Sequence, residues 1–175
     1  MEAMRLVSPS SVYEKSFKAA VEEMREAEGL EFWEQVGSPK NIREYIQIRL
    51  DHSKGKHLPI GWIPATTYWL VDDENFIGET TIRHELTEHL LNVGGHIGYW
   101  IRPSQRKIGY GTKILQMALS KAKTMGIHQV RITCDETNTA SRKIIEANGG
   151  KLDGVTNMGE TLPRKLLFWI SLQNE

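Results

Sequence analysis

The sequence predicts an α/β protein in which a mixed sheet is flanked by helices. Two observations carry that prediction. Short β-branched or aromatic runs outnumber the amphipathic ones, and in the second half strand-like and helix-like runs alternate as two βα units. No internal repeat, low-complexity tract or domain linker interrupts the 175 residues, so a single domain over 1–175 is expected, a length sufficient for a sizeable core.

Taken in order, residues 5–7 suit a short first strand. Ser11 and Glu14 have capping-box spacing, and Tyr13, Phe17, Ala20, Val21 and Met24 form one apolar face, so a first helix is expected to about Glu28 with Gly29 as its stop. Ser38-Pro39 is expected to open a second helix carrying Ile42, Tyr45, Ile46 and Leu50. Residues 51–66, with several prolines and glycines beside Trp62 and Ile63, read as a loop. Two strands, 67–71 and 76–83, flank the acidic turn at 72–75, and 86–95 reads as a connection. Later strands are expected at 130–134 and 165–172, with a helix over 140–148 closed by Gly149-Gly150.

Function is most legible over residues 96–141. A short aromatic run is stopped by Pro103, and Gly109 and Gly111 then precede apolar residues at helical spacing (Ile114, Leu115, Ala118, Ala122, Met125) up to Gly126. A strand–glycine turn–helix unit suits anion binding: the backbone can approach a diphosphate closely, and the unpaired N–H groups and positive dipole end of the helix face it. Arg106 and Lys107 add charge at the same mouth. Gly109-Tyr-Gly111 lacks the third glycine of a dinucleotide fingerprint and the spacing of a phosphate-binding loop ending in Lys-Ser/Thr. No Asp or Glu occurs from His89 through Cys134, whereas Arg102, Arg106, Lys107, Lys113, Lys121, Lys123 and Arg131 do, so a locally positive region is expected there. Lys113, Lys121 and Lys123 are read as solvating a helix face.

The order of these elements resembles the GNAT superfamily of acyl-CoA-dependent N-acyltransferases. Arg106-Lys-Ile-Gly109-Tyr-Gly111 follows Ile101-Arg-Pro103 as that superfamily's Arg/Gln-x-x-Gly-x-Gly/Ala signature follows a strand ending in x-Pro. Asn138-Thr-Ala-Ser141 is similar to its Asn-x-x-Ala/Ser mark, one strand later. Wording such as Gly94-Gly-His-Ile-Gly-Tyr99 resembles a bacterial branch of acetyltransferases. The resemblance covers residues 77–169. It implies a mostly antiparallel sheet of six to seven strands, splayed in the middle and flanked by about four helices, and acetyl-CoA as co-substrate without a metal. It further implies direct transfer to a primary amine on a small molecule or peptide. The acceptor itself stays open, as does a homodimer, common in the superfamily.

The resemblance also assigns roles. Backbone N–H groups of Ile108, Gly109, Tyr110, Gly111 and Thr112, with Arg106 and Lys107, would grip the diphosphate. Trp100 and Ile101 would offer a backbone edge to the pantetheine arm and a donor to the oxyanion. His96 and Glu79 fall on strands beside the thioester and are candidates to accept the amine proton. Relatives often carry a Tyr seven residues after the motif Asn as the acid for the thiolate, but Ile145 stands there. Ser141 then becomes the acid candidate, as well as a coenzyme contact, unless its hydroxyl only bonds its own helix. Asn138 is expected as coenzyme contact and helix cap. The first two helices and the following loop would wall the acceptor side, with Phe32, Trp33, His57 and Trp62 near it. A non-catalytic acyl-CoA-binding module is the competing reading.

Other classes are disfavoured. Twenty-two acidic and 22 basic residues balance, which argues against a nucleic-acid or membrane partner. Cys134 is the single cysteine, excluding an internal disulfide and fitting a reducing compartment. Without a signal-like start or an apolar run near the about 20 residues of a membrane span, a cytoplasmic setting is expected. His84 and His89 are five apart, about 140° out of line on a helix, so a zinc-protease helix is rejected.

Overall fold

The computed structural model describes residues 4–29, 41–157, 159 and 163–172. The described elements, in chain order, are β1 (Arg5–Val7), α1 (Glu14–Glu28), α2 (Ile42–Ser53), β2 (Ala65–Asp72), β3 (Asn75–Arg83), α3 (Glu88–Asn92), β4 (Ile97–Ile101), α4 (Tyr110–Thr124), β5 (Gln129–Asp135), α5 (Thr139–Ala147), β6 (Lys151–Thr156) and β7 (Lys165–Ser171). The strands form two antiparallel sheets, ordered β1-β2-β3-β4 and β5-β7-β6. They meet where β4 lies beside β5, and there no ladder forms. Instead the two strands are stitched at one end. The His96 N–H donates to the Arg131 carbonyl (2.7 Å), the Arg131 N–H donates to His96 Nδ1 (2.9 Å), and the Gly94 N–H donates to Thr133 Oγ1 (2.9 Å). A side-chain nitrogen and a hydroxyl have replaced backbone carbonyls as acceptors, so the ladder cannot continue along β4 and the sheets splay.

Period-two alternation along β2 sends Trp69 and Val71 to one face and Leu70 to the other. On the first face, Phe17 of α1 stacks on Trp69 at 4.6 Å between ring centroids, and Phe76 meets Trp69 edge-on at 5.3 Å, with Ile42 and Tyr45 of α2 closing the cluster. On the second face, Ile77 and Ile101 pack on Ile114 of α4. The largest cluster joins α4, α5, β5 and β7 through Leu115, Ala118, Val130, Ile145 and Phe168.

Several expectations shift. Ser10 rather than Ser11 supplies the N-terminal hydroxyl acceptor, because a 3-10 turn (Ser11–Tyr13) precedes α1; Gly29 ends α1 at φ 62°. The second helix is capped by Asn41, whose Oδ1 accepts from the Glu44 N–H (3.0 Å), and it runs through Ser53, past the expected loop start at Asp51. Its expected opening at Ser38-Pro39 lies outside the described residues, as do Phe32 and Trp33. The connection 86–95 contains α3, capped by Thr87, so five α-helices stand among the described residues, where about four were expected.

Arg102, expected to add charge near the glycine turn, clamps α1 to the end of β4. Its guanidinium bonds Glu23 and reaches Ser16 Oγ and the Phe76 carbonyl (both 3.3 Å), and Glu23 also accepts from the Ser104 N–H (3.1 Å). The Arg102 bond holds the Glu23 carboxyl down at about 2.

Candidate active site

Two cavities flank β4, and Tyr99 and Trp100 line both. One, about 670 Å³, opens between the end of β4 and the starts of α4 and α5. Of the residues expected to hold a coenzyme, Trp100, Ile101, Arg106, Lys107, Gly109, Gly111, Thr112, Asn138 and Ser141 line it. Ile108 and Tyr110 do not: the Ile108 side chain is exposed, and Tyr110 packs against the Ile101–Ile114 cluster.

The turn before α4 is left-handed at Lys107 (φ 65°) and Gly109 (φ 96°). The first intrahelical bond of α4 runs from the Lys113 N–H to the Gly109 carbonyl (3.1 Å), leaving the N–H groups of Tyr110, Gly111 and Thr112 without intrahelical partners. A Cβ at Gly109 would meet nothing within 4 Å, whereas one at Gly111 would lie 2.5 Å from Ile144 Cδ1. Gly109 thus serves the turn, and Gly111 lets α4 approach α5.

The positive charge is smaller than the acid-free stretch suggested, because acids are brought in from elsewhere. Arg106 Nη2 pairs with Glu28 at 2.5 Å, and its Nε donates to the Ile101 carbonyl (3.0 Å). Arg131 pairs with Asp153 at 2.6 Å. Among the described residues, Lys107 and Lys143 line the cavity without an ion-pair partner. Asn138 caps α5, its Oδ1 accepting from the Ser141 N–H (2.9 Å).

The second cavity, about 680 Å³, lies under α2, the 60–63 segment and α3. Trp62 is on its wall; His57 is not, and instead its Nδ1 faces Asp51 at 3.2 Å. Glu79 is buried at the cavity's base, opposite Trp69 in the β2–β3 register and Trp100 in the β3–β4 register. Its Oε2 accepts from the Tyr45 hydroxyl (2.5 Å) and Trp69 Nε1 (2.8 Å), while Oε1 is 3.6 Å from Arg49 Nη2. Burial, reinforced by Glu79, pushes the Tyr45 phenol well above its ordinary value.

At the junction, the Tyr99 hydroxyl and Ser141 Oγ lie 3.0 Å apart. Ser141 therefore meets Tyr99, the contact that spacing alone did not show. Burial raises the Tyr99 phenol to about 12, so it keeps its proton at neutral pH. In the sequence Tyr99 looks like an ordinary core position, because it shares its face of β4 with Ile97 and Ile101. Ile145, where relatives often have the Tyr, is fully buried in the core.

His96 lines neither cavity. Its Nδ1 lone pair is held by the Arg131 N–H, and burial together with Arg83 lowers it to about 4, so it is a neutral seam residue. Cys134 is buried, and burial raises its thiol, which disfavours a nucleophilic role. Among the described residues no cluster of His, Cys, Asp or Glu could hold a metal, and no helix is long and apolar enough to cross a membrane.

No curated protein sequence matches the chain significantly. Solved structures do match in fold. The ribosomal L7/L12 alpha-N-protein acetyltransferase RimL, in complex with coenzyme A, is 19% identical with a TM-score of 0.73, covering 97% of this chain and 94% of its own. An acetyl transferase from Salmonella typhimurium that modifies the N-terminal serine of L7/L12 is 17% identical (TM-score 0.70, 97% and 95% covered). The microcin C7 self-immunity acetyltransferase MccE, in complex with acetyl-CoA and AMP, is 14% identical (TM-score 0.68, 96% and 92%). The acetyltransferase (GNAT) domain family matches residues 14–151, and with that span of the sequence the chain belongs to the GNAT acetyltransferases.

Proposed function

We propose that the protein transfers an acetyl group from acetyl-CoA directly to a primary amine. The observation that carries this reading is the meeting of the two cavities at Tyr99 and Trp100: one offers free helix N–H groups to an anion, the other a buried carboxylate to an amine. The diphosphate would lie against the N–H groups at the start of α4, near Lys107 and Lys143, and the pantetheine arm along the edge of β4 that faces β5.

The amine would enter from the Glu79 cavity. Oε2 of Glu79 is committed to Tyr45 and Trp69, so Oε1 would accept the amine proton, directly or through water. As the nitrogen bonds to the acetyl carbon, a β4 backbone N–H would hold the oxyanion, and the C–S bond then breaks. The thiolate would take its proton from the Ser141–Tyr99 hydroxyl pair. This reading leaves His96 out of the chemistry.

Acetyl-CoA titration by calorimetry, followed by free-thiol release with a panel of amines, tests it. Uptake of acetyl-CoA together with amine-dependent thiol release is expected. Uptake without release from any amine would favour a coenzyme-binding module, and absence of uptake would overturn the proposal.

A further inference from the structure

We infer that the acceptor bound in the Glu79 cavity carries an anionic group, a carboxylate or a phosphate, close to its amine, held by Arg49 and Arg83. This rests on the acetyl-transfer reading and adds the acceptor's chemical class to it.

The charges lining this cavity do not balance. Arg49 enters from α2 and Arg83 from the end of β3, and the only carboxylate on the described wall is Glu79. Arg49's side chain is 14% exposed. Its Nε has no hydrogen-bond partner, and its link to Glu79, at 3.6 Å, is an ion pair too long for a hydrogen bond. Its guanidinium carbon lies 4.9 Å above the Tyr45 ring. Arg83 has no carboxylate partner among the described residues; its Nη1 donates to the Gly94 and Gly95 carbonyls at 3.3 and 3.1 Å.

Two guanidiniums therefore face one carboxylate that already serves Tyr45 and Trp69. Burial lowers the Arg83 guanidinium below its ordinary value, and the charge of Arg49 acts in the same direction. Cations withdrawn from water without a counter-ion are costly, and a forked guanidinium is suited to carboxylate or phosphate. A ligand carrying both charges resolves the imbalance: its ammonium faces Glu79 and its anion faces the arginines. A polyamine does the opposite, bringing a second ammonium against two guanidiniums.

The test uses three matched pairs, titrated calorimetrically into the full chain with and without coenzyme A, and assayed for thiol release with acetyl-CoA. Glycine against glycinamide reads an α-carboxylate. O-phosphoethanolamine against ethanolamine reads a phosphate. A pentapeptide beginning Ser-Asp against one beginning Ser-Asn reads an acidic peptide. In at least one pair the anionic member should bind about tenfold tighter or more. Arg83→Gln should shrink that preference to within about twofold, while Arg83→Lys keeps part of it. If Arg83→Gln does not fold, the wild-type pairs decide alone.

Equal binding in all three pairs, or a neutral amine or spermidine used as well as any anionic amine, would overturn this inference while leaving acetyl transfer intact. Failure to bind acetyl-CoA would overturn the transfer reading. The acid–amide comparison on the free protein would then still decide whether the cavity selects an anion.

Discussion

The two cavities beside β4 are similar in volume and share Tyr99 and Trp100, yet they are made differently. The coenzyme side is built mainly from one stretch of chain, 99–112, and the N-terminal half of α5, with Met24 and Glu28 of α1 at its margin, and its recognition elements are largely backbone. The acceptor side is built from side chains on α2, the loop at 60–63, β3 and α3, a few residues contributed by each of several successive elements. Backbone sites depend on turns and helix ends, whereas side-chain sites depend on burial and pairing. Substitutions on one side should therefore spare the other, and that separation can be measured.

The largest effect should come from the acceptor side. Glu79→Gln keeps the shape and removes the accepting charge, so kcat should fall by about 10²–10⁴, the usual worth of a general base. The affinity for acetyl-CoA should stay within about twofold. A matching loss of coenzyme affinity would break the separation between the cavities, and an undiminished kcat would remove Glu79 from the chemistry.

The junction comes next. Tyr99 and Ser141 form one hydroxyl pair, 3.0 Å apart. Tyr99→Phe and Ser141→Ala should each lower kcat by roughly 10²-fold, near the lower end of general acid–base effects. If the pair acts as a unit, the double variant should be no slower than the worse single one. Strict multiplication of the two losses would show separate roles.

Much of the coenzyme side was legible in the sequence because its signal is local. Glycines at 109 and 111, Pro103 and Asn138 mark a turn, a stop and a cap wherever they occur. On the acceptor side the resemblance pointed to Glu79, Trp62 and the helical wall, but Tyr45, Arg49 and Arg83 were not legible, since nothing in their spacing announces that α2, packed on β2, carries Tyr45 and Arg49 to Glu79. Charge was misleading for a related reason: the acid-free stretch 89–134 borrows Glu23, Glu28 and Asp153 from other segments. β6 also left no trace in the sequence. It is an edge strand with a mostly exposed, polar pattern, so it lacks apolar alternation.

The seam between the sheets gives a smaller, graded effect that belongs to neither cavity. His96 is held at about 4 in the folded protein, against an ordinary value of 6.5. The unfolded chain therefore takes up a proton that the folded one refuses, and the stabilisation present above about pH 6.5 is lost as pH falls toward 4. The slope from this group should be at most about 1.4 kcal/mol per pH unit. His96→Asn, which offers an oxygen to the Arg131 N–H, should flatten the denaturation midpoint against pH over that window. An unchanged pH dependence would assign it to other groups.

The smallest effect separates two glycines that the sequence presents as a pair. Gly109 has φ 96° and open space around it, so Gly109→Ala strains the turn by about 1–2 kcal/mol without meeting a neighbour. If the turn aims the N–H groups of α4, this variant should weaken acetyl-CoA binding about five- to tenfold. Gly111 lies inside α4, and its added methyl would press on Ile144 Cδ1 at the tip of a side chain. Gly111→Ala should lower stability by about 1 kcal/mol at most, because Ile144 can shift. Adding Ile144→Val, which deletes that Cδ1, should recover much of it. Coenzyme affinity should follow position 109 and stability position 111. If instead both variants weakened acetyl-CoA binding equally and Ile144→Val rescued neither, the close approach of α4 to α5 would itself be part of the coenzyme site, and the turn would lose its separate role.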